Sequence, residues 1–128
     1  MRRVYTIAIS SLFLLCLAAV TSVFAQGDVA KGAEAYNTLK CAKCHGDGGQ
    51  GDGSTVESLK AKGKEIEMHN WTDKAFMSKL EDNYLKEITL KGGKALDKSK
   101  RMPSYESKIK KENVNIDDLI AFVKSFSS

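Results

Sequence analysis

The chain has 128 residues, a net charge of +4, 42% hydrophobic residues and a single proline. That length bounds it to one small domain, and so mild a positive charge argues against a nucleic-acid binder. Its three cysteines are too few for the disulfide framework of a small exported scaffold.

Arg2 and Arg3 form a positive start, and Val4 to Val20 is apolar except for Thr6, Ser10 and Ser11. Val23-Phe24-Ala25 then supplies the small-x-small pattern of a signal-peptidase site, so residues 1–25 read as a signal peptide cleaved after Ala25. The alternative is an uncleaved membrane anchor, since the apolar run approaches spanning length. Cys16 follows Leu15 where a lipobox wants a small residue, which leaves it as part of the signal. Cleavage would leave residues 26–128, 103 in all, with a net charge of +2 once the two arginines are removed. A domain of that size buries only about 60–65% of its unfolded surface and is marginal by itself.

Asp28 to Leu39 places Val29, Ala33, Tyr36 and Leu39 at helical spacing. Gly32 sits beside that stripe, where a missing side chain would let another helix cross closely. The alternative is a tolerated weak spot in the helix.

Cys41-Ala42-Lys43-Cys44-His45 follows. Two thiols separated by two residues, with a histidine directly after, is the attachment signature of a c-type haem. Each sulfur adds across one porphyrin vinyl group, the spacer matches the vinyl separation, and the His45 imidazole is set to bind iron as proximal ligand. Zinc would want four ligands, and beyond the signal only His45 and His69 accompany these thiols. A thioredoxin-like redox pair would want a βαβ pattern around it, and no strand alternation is visible. A large apolar cofactor would also relieve the shortage of core.

Residues 46–53 hold five glycines in eight positions, which gives backbone freedom including φ > 0 in a tight loop. This loop lacks the lysine-serine ending of a phosphate cradle. Ser54 to Asn70 carries a basic-acidic run with no assigned role. Thr72 or Asp73 can cap a short helix through Leu80, and a further helix runs from about Asp82 to Lys91, stopped by Gly92. A looser segment leads to Pro103. The last helix begins near Asn115 and should bury Leu119, Ile120, Val123 and Phe126 with Phe122 beside them, while Asp117 and Asp118 suit its N-terminal dipole.

With these residues in place the chain resembles the class I cytochrome c family over essentially all of residues 26–128. The resemblance rests on the first helix running into Cys41–His45, the glycine-rich turn after it, Arg101-Met102-Pro103 in the distal loop, and Phe122 in the final helix. It implies an all-α, cytochrome c-like domain wrapped around one covalently bound haem c, with Gly32 and Phe122 marking a crossing of the terminal helices. It offers Trp71 as a tryptophan that bonds a haem propionate through its indole N–H. A plain core aromatic is the alternative.

Met68, Met77 and Met102 compete for the sixth coordination position, with His69 as the rival nitrogen donor. Met77 lies between Phe76 and Leu80 in a helical context suited to packing. Met102 lies in a loop restrained by Pro103 and is the expected distal ligand; a methionine packed on the haem edge is the alternative. His/Met ligation raises the reduction potential and leaves no open position at iron, which points to electron transfer rather than enzymic turnover. The expected protein is a monomeric periplasmic shuttle with no membrane tether after cleavage. The rival readings are a haem subunit of a larger oxidoreductase and a five-coordinate haem sensor or enzyme. Lys91, Lys94, Lys98, Lys100 and Arg101, with Asp97 the one acid among them, make a +4 stretch leading into Met102. They are expected to steer an acidic face of a redox partner to the haem edge, the alternative being an ordinary solvated loop. Residues 45–59 hold Asp47, Asp52 and Glu57 and no lysine, a charge of −3.

Overall fold

A computed structural model describes residues 27–128; the signal peptide and cleavage site expected over residues 1–25 fall outside the described residues. The described chain forms seven α-helices and one 3-10 turn, with no strand among the described residues, as the all-α expectation requires. They are α1 (Val29–Thr38), α2 (Ala42–His45), α3 (Ser54–Ala61), α4 (Lys74–Met77), α5 (Asp82–Lys91), the 3-10 turn (Gly93–Leu96), α6 (Glu106–Lys111) and α7 (Ile116–Ser125). Among the described residues no helix is long and apolar enough to cross a membrane.

The first and last helices carry the fold, since α1 packs on α7 more extensively than any other pair of elements. Asp28 starts α1 by accepting the backbone N–H groups of Ala30 at 2.9 Å and Lys31 at 3.2 Å, which satisfies donors that a helix end leaves open. The Asp28 N–H in turn donates to Asp118 Oδ1 at 2.7 Å, so the cap is tied to α7. Asn115 caps α7 through the Asp117 N–H at 2.9 Å.

The helices cross at Gly32. A Cβ there would overlap the Asp118 carbonyl oxygen and come within 2.6 Å of Phe122 Cβ. The buried face of α1 is accordingly Gly32, Ala35, Tyr36 and Leu39, an i, i+3, i+4, i+7 stripe that begins with the glycine. Val29, expected on this face, is 46% exposed. The sequence stripe was rotated because a glycine contributes no hydrophobic side chain to a periodicity, yet here it makes the closest contact.

The core joins these residues to Met77 of α4, Leu85 of α5, Ile109 of α6, and Leu119, Ile120 and Val123 of α7. Each such side chain contributes roughly 1.5–3 kcal/mol by leaving water. Phe122 and Phe126 meet Tyr36 edge-on at 5.2 and 5.8 Å, an arrangement that adds about 0.5–1.5 kcal/mol per pair beyond area burial. Val56 is buried on α3, which packs against α2. The Ser54–Asn70 stretch thus holds a helix as well as a loop.

Candidate haem-binding site

The turn from α1 into the cysteine motif is made by a residue that carries no stop signal. Lys40 takes the left-handed conformation, φ 61°. Its N–H donates to Asn37 O at 2.9 Å, and the Cys41 N–H donates to Tyr36 O at 3.0 Å. This is a Schellman closure with lysine where glycine is usual, at a conformational cost of about 1–2 kcal/mol. It swings the chain directly from the buried end of α1 into Cys41.

Cys41, Cys44 and His45 then share one turn. The Cys44 and His45 N–H groups both donate to Cys41 O, at 3.2 and 3.0 Å, and the glycine loop folds back so that Gly51 N–H donates to His45 O at 2.8 Å and Gly53 N–H to Cys44 O at 3.2 Å. Tyr36 fixes the end of the turn by donating its hydroxyl to Gly46 O at 2.7 Å. Gly49 has φ 72°, and a Cβ there would lie 2.7 Å from the Phe126 ring, so the loop presses against α7.

Both cysteines are free and half-buried. Burial, opposed by the positive charge of Lys108, pushes the Cys41 thiol up to about 11. A site that disfavours thiolate suits a neutral thioether and is a poor place for zinc. Among the described residues no group of three or more His, Cys, Asp or Glu is gathered to hold a metal ion. The donor set fits a haem attached through both sulfurs.

His45 is held as a neutral base. Burial first, and then the neighbouring charge of His69, push its imidazole down to about 4, which leaves a lone pair free for iron. Its ring lies against Trp71 with centroids 4.1 Å apart and planes 17° apart. Its Nδ1 is buried with no hydrogen-bond partner among the described residues, which makes Nε2 the nitrogen available to a ligand. Trp71 is itself placed by its backbone N–H, which donates to Gly49 O at 2.8 Å, and by near-parallel packing of its ring on Phe126 at 6.3 Å and 24°. Spacing in the sequence carries no trace of the contact between Trp71 and His45.

Met102 comes from a separate segment. It is half-buried in the loop between the 3-10 turn and α6. Gly93 N–H donates to Met102 O at 2.9 Å, Met102 N–H to Ser99 O at 3.3 Å, and Tyr105 N–H to Thr89 O at 3.1 Å. These bonds lash the loop to the end of α5. The segment also approaches the motif: the Tyr105 phenol is pushed up first by burial and then by the Cys41 and Cys44 charges. Lys108, one turn further, acts on Cys41. The remaining rivals have different surroundings. Met77 is 1% exposed within the main core, Met68 packs toward Gly51, and His69 is exposed with its ring against Phe76 at 4.5 Å. Surface clefts of about 390 and 500 Å³ lie along the terminal helices, and neither includes a residue of the motif.

Neither the search of curated proteins nor that of solved structures finds a match. The family model described as Cytochrome c does match, over residues 29–127. That span takes in all the helices and the Cys41–His45 turn, and it brings with it covalently bound haem c and haem-based electron transfer as the family's chemistry. The chain belongs to the cytochrome c family.

Proposed function

We propose that this protein is an exported single-electron carrier with one haem c, joined to Cys41 and Cys44 and ligated by His45 on one face and Met102 on the other. The observation that carries the reading is the single turn on which two free cysteines, the Cys41 thiol pushed up by burial, stand beside a half-buried, neutral imidazole. Bound there, haem supplies a one-electron couple, and a thioether ligand raises its potential relative to a second histidine.

The chain's own part is to hold and enclose. His45 offers a lone pair because burial keeps it unprotonated, and the Met102 backbone is fixed by Gly93 and Ser99. Were His45 and Met102 both to ligate the iron, the bound haem would offer no open position to a substrate, which supports a carrier over an enzyme. The positive start and signal-peptidase pattern of residues 1–25 support export to the periplasm.

Redox partners would dock weakly, as brief electron-transfer contacts do. Lys94, Lys98, Lys100 and Arg101 are exposed in the loop that leads to Met102 and would meet an acidic partner face. Lys91 contributes less than its sequence position suggests, because Glu87 pairs with it at 2.6 Å.

The test is spectroscopic. Exported, purified protein should give the pyridine haemochrome of a haem with both vinyls saturated, and low-spin spectra in both redox states. High-spin spectra with carbon monoxide uptake by the reduced form would overturn the six-coordinate carrier in favour of a sensor or enzyme.

A further inference from the structure

A histidine that binds a metal almost always has its other ring nitrogen hydrogen-bonded to a carboxylate, a carbonyl or water, and that bond sets the ring's orientation. His45 departs from this pattern. Its Nδ1 is buried and has no hydrogen-bond partner among the described residues, so none of them fixes the ring's rotation by a hydrogen bond.

What lies against the ring is Trp71, with centroids 4.1 Å apart and planes 17° apart. A ring in face contact at that distance cannot turn without driving its edge into the indole, since interiors packed at crystal density leave no room for it. Trp71 is itself held from three directions. Its backbone N–H donates to Gly49 O at 2.8 Å, while Phe126 lies near-parallel to the indole at 6.3 Å and Tyr36 meets it edge-on at 6.5 Å. The indole therefore belongs to the same rigid block as the α1–α7 crossing.

We infer that Trp71 is the positioning residue of the iron ligand: its indole face, rather than a hydrogen bond to Nδ1, sets the plane of the His45 imidazole. The inference rests on His45 being the proximal ligand. It makes a specific claim about which part of Trp71 works. The flat face does so, and the indole N–H does not.

The experiment compares haem-loaded wild type with Trp71→Phe and Trp71→Leu. The readout is the spread of hyperfine-shifted haem-methyl proton resonances in the ferric state, which reports the axial imidazole plane, together with the reduction potential. Trp71→Phe keeps an aromatic face and should preserve the wild-type pattern and potential. Trp71→Leu removes the face and should change the methyl spread and their order. Should the leucine variant fail to accumulate, Trp71→Met fills similar space without a ring and carries the same expectation. A ringless variant with the wild-type pattern would overturn the inference. So would a Trp71→Phe variant shifted as far as the ringless one, because that outcome assigns the role to the indole N–H. A failure of His45 ligation would show in the wild type itself, as the absence of a low-spin nitrogen-ligated spectrum, before any variant is compared.

Discussion

The Tyr36 hydroxyl donates a 2.7 Å hydrogen bond to the carbonyl oxygen of Gly46, across ten residues and in the buried interior. One bond thus joins the last turn of α1 to the residue that closes the Cys41–His45 turn. Tyr36 is 2% exposed, so removing the hydroxyl leaves a carbonyl whose other bond, from Gly49 N–H, is longer at 3.3 Å. Tyr36→Phe should cost about 0.5–1.5 kcal/mol near neutral pH.

The same contact has a pH signature. Burial above all, with smaller contributions from Cys41, Asp47 and Asp52, raises the Tyr36 phenol well above its ordinary value. The unfolded chain therefore ionises Tyr36 at a pH where the folded chain does not. Its contribution is fully present below about pH 10 and is lost as pH rises beyond that. The stability difference between wild type and Tyr36→Phe should narrow above pH 10 in denaturant titrations. A gap that widens there would contradict the assignment. Burial is the largest cause, so the sign holds once Cys41 is a thioether without charge.

Gly32→Ala pits two effects against each other. Alanine is the better helix former by about 1 kcal/mol, but its methyl would overlap the Asp118 carbonyl oxygen and stand 2.6 Å from Phe122 Cβ. A backbone carbonyl inside a helix cannot give way, so α1 and α7 must separate, which loosens Tyr36, Leu119 and Phe122 together. Overpacking typically costs about 1–3 kcal/mol and should win. A domain of this size then loses about 4–8 °C in Tm per kcal/mol, and an unchanged or higher Tm would show that the crossing is looser than described.

Sequence was most informative where one residue type does one job. The end of α5 at Lys91, with Gly92 as its stop, and the start of α7 behind its Asn115 cap follow from terminators and caps. The attachment turn is legible because its chemistry needs that order of residues. What escaped has a physical cause in each case. α6 spans six residues and buries only Ile109, too little for a period to register. Lys40 ends α1 through a strained φ that its side chain does not advertise. Trp71 stacks on His45 across a long loop, brought there by a backbone bond to Gly49 and by packing on Phe126.

Met102→Ala separates the distal ligands. Truncation removes the only sulfur held in that loop, and the weak far-red sulfur-to-iron band of the ferric protein should vanish as the potential falls. The backbone bonds to Gly93 and Ser99 do not involve the side chain, so the loop itself should persist. Retention of the band would reject Met102. A band lost instead in Met68→Ala, with Met102→Ala unaffected, would reassign the ligand to the loop beside Gly51. Met77 is a poorer alternative, since Met77→Ala would first open a core cavity at a cost of about 2–5 kcal/mol.

Two ion pairs, Lys124 with Asp82 at 2.5 Å and Lys86 with Asp117, tie α5 to α7. Both are substantially exposed, and such pairs contribute about 0.2–1 kcal/mol each. Their double-mutant coupling should shrink toward zero at about 1 M salt, where the Debye length falls to about 3 Å.

The basic loop makes the sharper electrostatic claim. Lys94, Lys98, Lys100 and Arg101 are exposed and lead into Met102, whereas the charge of Lys91 is already opposed by Glu87 at 2.6 Å. Oxidation of the reduced protein by ferricyanide, a small anion, should slow as salt rises from about 10 to 200 mM, because the screening length drops from about 30 Å to below 10 Å. Lys98→Gln with Lys100→Gln should flatten that dependence, while Lys91→Gln should leave it nearly unchanged. The distinction matters because all of these lysines count equally in a tally of charge. If the lysine loop were merely solvated and remote from the site of electron exit, none of the substitutions would alter the slope. If Lys91→Gln flattened it as much as the double variant, the Glu87 pair would not be masking Lys91, and the docking face would extend back along α5.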